Sequence, residues 1–215
     1  MSVYQDRLDA GKQLAEELKS YDFESLCILA VPRGGIAVAA PIAQRYNTGL
    51  QVLVTRKIGH PESPEFAVGA VMPDGSAVLD GDTLRLYHVP REYLDKAIEK
   101  EYSELRRRMV LYTGNETLPD VGGKTVMVVD DGIATGYTMK AAARWLKTRN
   151  PLKVILAAPV AAPDTVRELA KEVDLVVCPL QPEPFISVGS FYDDFSQITD
   201  QEVMAILEEV NRGTA

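Results

Sequence analysis

Three short apolar runs in the second half of the chain, KTVMVVD (124–130), KVILAAPV (153–160) and VDLVVCPL (173–180), constrain the fold most. They are separated by two stretches of helical composition, TMKAAARWLKTR (138–149) and PDTVRELAKE (163–172). A strand with one wet face alternates polar and apolar residues; these runs do not, so both of their faces must be covered. Buried strands joined by helices build a parallel sheet with helices on both sides. An α/β fold on an open, mainly parallel sheet is the expectation. The first half repeats the pattern. LCILAV (26–31) and QVLVT (51–55) read as strands, and IAVAAPIAQRY (36–46) between them reads as a helix in which Pro41 demands a kink or a restart.

Leu8, Leu14, Ala15 and Leu18 recur at helical spacing, which predicts an amphipathic first helix ending before Ser20. From Arg56 to about Asp82, prolines and glycines interrupt the apolar pieces FAVGAVM (66–72) and AVL (77–79). An irregular excursion over 56–82 that contains a hairpin and a mobile loop is expected there. REYLDKAIEKEYSELRRRMVLY (91–112) has the mixed charge of an exposed helix, with Arg106, Arg107 and Arg108 on its solvated face. Between Pro179 and Asp200 the alternation stops in a segment of prolines, aromatics and acids, and a last helix is expected near 200–210. With 215 residues and 46% hydrophobic composition, a single domain spanning 1–215 can fill one core.

A formal net charge of -8 argues against a nucleic-acid surface and requires any anionic ligand to find a local basic pocket. Cys27 and Cys178 sit in apolar runs without CxxC spacing and are expected to be inert core thiols. The N-terminus carries acids and no apolar h-region, and no apolar run approaches the roughly 20 residues that span a bilayer, so a cytoplasmic protein without a membrane partner is expected. His60 and His88 lack metal-ligand spacing and read as structural, and Trp145 reads as core.

VMVVDDGIATGYT (126–138) carries the chemistry. In an open parallel sheet, ligands bind where the carboxyl ends of strands lead into helix N-termini, and residues 130–138 occupy that place. Free N–H groups and the positive end of the helix dipole favour a phosphate there. Gly132 and Gly136 let the backbone approach closely, and Thr135 and Thr138 add hydroxyl donors. Two carboxylates beside a phosphate would repel it, so Asp130 and Asp131 must serve another group. Vicinal ribose hydroxyls fit, because ionised carboxylates accept hydrogen bonds strongly and stabilise positive charge developing on a sugar. The stretch therefore reads as a ribose-5-phosphate cradle. An acidic helix cap would explain one aspartate but neither the second nor the Thr-Gly pair. No G-x-G-x-x-G follows a strand, and GGKT (122–125) has Leu118 where a P-loop needs its first glycine, so it is a turn.

Across all 13 positions, VMVVDDGIATGYT resembles the phosphoribosyl pyrophosphate (PRPP) signature of the type I phosphoribosyltransferase family. The resemblance implies that Asp130 and Asp131 contact the ribose hydroxyls and that Ala134, Thr135, Gly136, Tyr137 and Thr138 bind the 5-phosphate. VPRGG (31–35) ends the first strand where the family keeps a pyrophosphate loop, which points to Pro32, Arg33, Gly34 and Gly35. TRKIGHPESPEF (55–66) follows the second strand where the family has an arginine-lysine pair and a mobile closing loop, which points to Arg56 and Lys57. The similarity covers roughly residues 26 to 200 and extends to uncharacterised bacterial members, whose acceptor does not carry over.

The implied reaction displaces pyrophosphate from C1 of PRPP by a nitrogen nucleophile, through an oxocarbenium-like transition state. Magnesium is the implied cofactor; Asp130 and Asp131 would hold it only indirectly, through PRPP or water. Members acting on 6-oxopurines place an acid directly before the Thr-Gly pair, whereas this chain has Ala134, which counts against hypoxanthine and guanine. The ATG form resembles adenine phosphoribosyltransferase, whose base lies in the mobile loop, where Glu62 or Glu65 could stand in. FISVGSFYDDF (185–195) would form a hood, within about 179–200, over the acceptor. Phe185, Phe191, Tyr192 and Phe195 would stack on a ring and Asp193 or Asp194 would read its exocyclic groups, unless the segment is only an apolar lid. Implied partners are PRPP, a small-molecule acceptor and a second copy in a dimer. The competing readings are a regulator that keeps the cradle as a PRPP sensor, and a binding or hydrolytic protein without transfer.

Overall fold

A computed structural model describes residues 3–213. Helix α1 (Arg7–Leu18) leads into β1 (Leu26–Ala30), α2 (Gly34–Tyr46) and β2 (Leu50–Val52). A meander follows, β3 (Arg56–His60), β4 (Ser63–Val71) and β5 (Ala77–Leu79), and then helices α3 (Gly81–Leu86) and α4 (Arg91–Thr113). The second half runs β6 (Thr125–Val129), α5 (Tyr137–Lys147), β7 (Lys153–Ala157), α6 (Pro163–Leu169), β8 (Leu175–Val177), a 3-10 turn (Val188–Phe191) and α7 (Asp200–Arg212).

The central sheet is parallel throughout, in the order β2-β1-β6-β7-β8. Its continuous apolar strands split by parity. Ile28, Ala30, Met127, Val129, Ile155 and Ala157 face one core with α1, α2, α4 and α7. Leu29, Val126, Val128, Val154 and Leu156 face another with α5 and with Leu169 of α6. The crossovers after β1 and β6, adjacent strands, thus leave toward opposite faces. That divergence makes their carboxyl ends the switch point of the sheet, the crevice position where open sheets bind ligands. Helix starts follow local chemistry: Asp6 caps α1 by accepting the Asp9 N–H at 2.8 Å, and Thr199 with Glu202 forms a capping box on α7.

Several sequence expectations need correction. Pro41 lies within α2 without a restart, so the helix continues past the proline's missing donor. The second strand ends at Val52, because pairing with β1 covers only Leu50–Val52, although Leu53 still donates to the Ala30 carbonyl at 2.9 Å. Residues 56–79 contain the expected hairpin, but a third strand joins it to make a three-stranded antiparallel sheet in place of an irregular excursion. Its glycines serve pairing: at Gly59 the register shifts, and a Cβ there would meet the Pro64 carbonyl oxygen at 2.4 Å. The sheet is anchored because β4 buries Val68 and Val71 in one core and Ala70 in the other. Cys27 and Cys178 are free and buried, and Trp145 is core, as expected. Among the described residues no helix is long and apolar enough to cross a membrane.

Candidate active site

The turn after β6 is shaped by its neighbours. Ile133 donates to the Val160 carbonyl at 2.9 Å, and the Thr165 hydroxyl donates to the Ala134 carbonyl at 2.7 Å. Gly136 precedes α5 with φ 71°, the left-handed region, and a Cβ there would lie 2.5 Å from Thr165 Cγ2. No side chain caps α5 and no acid lies in its first turn. The first-turn N–H groups therefore have no side-chain partner and are set to meet an anion. Ala134 and Thr135 are exposed, Tyr137 and Thr138 half-buried, and Gly136 buried.

Asp130 and Asp131 stand at the head of this turn. The Asp131 N–H donates to Asp130 Oδ1 at 2.9 Å. Burial, then the adjacent Asp131 charge, pushes the Asp130 carboxyl well above the ordinary carboxylate range. Asp131 Oδ2 accepts from Arg7 Nε at 2.7 Å, and the Asp131 carbonyl accepts from the Tyr192 hydroxyl at 2.5 Å. No three His, Cys, Asp or Glu side chains among the described residues converge on a point that could hold a metal. Of the two aspartates, Asp131 is already paired with a cation.

Across the crevice, the Pro32–Arg33 peptide is cis and Gly34 starts α2. Arg33 leans toward the α7 end of the hood: its Nη2 donates to Gln197 Oε1 at 3.4 Å and its Nη1 lies 3.9 Å from Asp200 Oδ1. Gly35 is buried. Lys57 Nζ donates to Glu65 Oε2 at 3.1 Å across the meander. Lys57, Glu65 and Phe66 share a cleft of about 430 Å³ with Thr135, Tyr137 and Thr138, so the structure brings these residues to the cradle. Arg56 points elsewhere: it binds Glu101 of α4 at 2.7 Å and lines a neighbouring cleft with Lys96 and Lys100. Glu62 is exposed at the hairpin tip, where its N–H donates to His60 Nδ1 at 3.2 Å.

The hood aromatics pack on one another. Phe185 and Phe191 lie 5.8 Å apart, and both are half-buried. Tyr192, expected to stack on an acceptor, is instead buried between Tyr4 and Phe195, with its hydroxyl holding the Asp131 carbonyl. Burial raises its phenol far above the usual range, so it stays a neutral donor. Asp194 is exposed and accepts the Ser196 N–H at 2.8 Å, which lowers its carboxyl below the ordinary value. Asp193 is exposed, and its N–H donates to the Tyr4 carbonyl at 2.9 Å. Sequence reasoning missed Arg7 and Tyr4. No sequence signal links them to the site, since Arg7 lies 124 positions from Asp131 in a helix whose polar face reads as solvated.

The family profile described as phosphoribosyl transferase domain matches residues 3–189. The chain belongs to this family. The crystal structure of TT1426 from Thermus thermophilus aligns with 97% of this chain and 99% of that one, at TM-score 0.84 and 38% identity. A Mycobacterium tuberculosis protein provisionally named a phosphoribosyl transferase is 39% identical over 216 residues, 100% of this chain and 48% of that protein. The chain therefore spans about half the length of that relative. Uracil phosphoribosyltransferase of Aquifex aeolicus is 38% identical over 63 residues, 28% of this chain and 30% of that protein. In this chain the Arg33 loop abuts the signature turn, where Gly34 packs against Asp131, and the Lys57–Glu65 pair shares a cleft with Thr135, Tyr137 and Thr138 of the same turn.

Proposed function

We propose that this chain transfers ribose 5-phosphate from PRPP to a nitrogen atom of a small heteroaromatic base or related amine, releasing pyrophosphate. The observation that carries the reading is the uncapped start of α5 directly beside the Asp130–Asp131 pair. The first-turn N–H groups of α5, with Thr135 and Thr138, bind the 5-phosphate. Asp130 and Asp131 accept hydrogen bonds from the ribose hydroxyls and favour positive charge on the sugar. Pro32, Arg33, Gly34 and Gly35 lie against the leaving group, with Lys57 adding a cation as the meander closes and excludes water. Magnesium supplies charge neutralisation on the pyrophosphate, and Asp130 and Asp131 would hold it through PRPP or water. The acceptor nitrogen forms its bond to C1 as the C1–O bond to pyrophosphate breaks. Glu65, in the cleft that reaches the cradle, takes the proton released from that nitrogen. Phe185 and Phe191 flank the acceptor, with Asp193 and Asp194 at its polar edge. A homodimer in the cytoplasm is the setting we propose.

A second reading, a PRPP-sensing binding protein without transfer, draws on one observation: exposed Ala134 offers no carboxylate beside the Thr-Gly pair. Incubation with Mg-PRPP and a panel of nucleobases, following pyrophosphate and nucleotide together, separates the two. Equal amounts of both products with one acceptor support transfer. PRPP binding without either product favours the sensor, and no response to PRPP removes both. The folded Asp131→Asn variant is expected to lose PRPP affinity; unchanged affinity would contradict the ribose assignment.

A further inference from the structure

Asp131 is held by a unit formed from the N-terminal segment and the hood. The N–H groups of Val3 and Tyr4 both donate to the Phe191 carbonyl at 3.0 Å, and those of Asp193 and Asp194 donate to the Tyr4 and Gln5 carbonyls at 2.9 Å. The Tyr4 and Tyr192 rings pack at 5.4 Å. Arg7 Nη1 closes the seam on the Ser196 carbonyl at 2.8 Å, and its guanidinium lies 3.9 Å from the Phe195 ring centre. Two groups of this unit reach Asp131: Arg7 Nε on its carboxylate at 2.7 Å and the Tyr192 hydroxyl on its carbonyl at 2.5 Å.

The ion pair is well covered, with the side chains of Arg7 and Asp131 only 11% and 17% exposed. Exposed pairs contribute little, whereas stripping one partner from a covered pair leaves an uncompensated charge. The pair also abuts the Arg33 loop. A Cβ on Gly34 would lie 1.9 Å from Asp131 Oδ2 and 2.8 Å from Arg7 Nε, so Gly34 leaves room for both groups. Three elements distant in sequence therefore converge on one carboxylate at the crevice.

We infer that Arg7 and Tyr192 are positioning residues that fix the Asp131 carboxylate for the ribose, so that the joined N-terminal segment and hood contribute to PRPP binding and not to the acceptor alone. The inference rests on the assignment of Asp131 to the ribose. The titratable groups facing Asp131 are Asp130 from its own turn, Arg7 from α1, and Tyr192 with Tyr4 behind it; Gly34 contributes no charge, and Asp194 faces Arg7 from the hood.

Calorimetric titration of Mg-PRPP into the full chain tests this with Arg7→Ala, Arg7→Lys, Tyr192→Phe and Asp131→Asn. Arg7→Ala should weaken binding about tenfold or more, as loss of a charged hydrogen bond does. Arg7→Lys should restore part of the affinity, and Tyr192→Phe should lose less. A folded Arg7→Ala protein with wild-type affinity overturns the inference, while loss of affinity in Asp131→Asn leaves the ribose assignment intact. Wild-type affinity in Asp131→Asn, or no PRPP binding by the wild type, overturns both. Should Arg7→Ala fail to fold, wild-type binding by both Arg7→Lys and Tyr192→Phe overturns the inference.

Discussion

Asp130 sits where burial and a neighbouring carboxylate both disfavour its charge. Burial and the Asp131 charge make its folded form hold the proton more tightly than the unfolded chain does. Its contribution to stability is therefore complete below the ordinary carboxyl value and drains away as pH rises toward the raised folded value. Asp130→Asn keeps the shape and removes the titration. We expect its melting temperature to match the wild type below the carboxyl range, to gain on it as pH rises above that range, and then to hold a constant lead, with PRPP affinity reduced. Paired thermal melts across pH check this; a pH-independent difference would count against it. The aspartate pair was legible because two charges at the end of an apolar strand have no local explanation. Arg7 was not, because a cation on an amphipathic helix has an ordinary one.

Elements show the same division. The α5 start was readable from glycines and threonines that suit an open helix end, and its lack of a side-chain cap agrees. At the other edge of the sheet, β2 is protected by a residue of α7. Asn211 Oδ1 accepts the Leu50 N–H at 2.8 Å and its Nδ2 donates to the Leu50 carbonyl at 3.0 Å, as a neighbouring strand would. Asn211→Ala should lower stability by about 1–3 kcal/mol, the usual effect of leaving buried backbone groups unsatisfied, as measured by the urea midpoint. An unchanged midpoint would show that water replaces the amide. The meander was read only as a hairpin within an irregular stretch, because its glycines and prolines look like loop punctuation. Their purpose appears only when Gly59 and Gly69 meet Pro64 and Leu79 on the paired strands.

At the scale of the whole molecule, the sheet separates two cores and the residues near both ends of the described chain meet over one crevice. A ligand that binds only the folded crevice stabilises the entire domain by mass action. PRPP at about 100 times its Kd should contribute about 2.7 kcal/mol, a rise in melting temperature of about 5–10 °C for a domain of this size. A melt indifferent to Mg-PRPP would set aside the proposed ligand. The α/β class and the parallel sheet were determined by the sequence alone. Buried strands, turns and helix starts are properties of contiguous residues, and their physics acts over a few positions. Tertiary structure alone decided that Arg7 meets Asp131, that Arg56 turns to Glu101 and that Tyr192 becomes a support within the hood. Electrostatic pairing depends on distance in space, and the sheet order that sets those distances is a property of the packed whole.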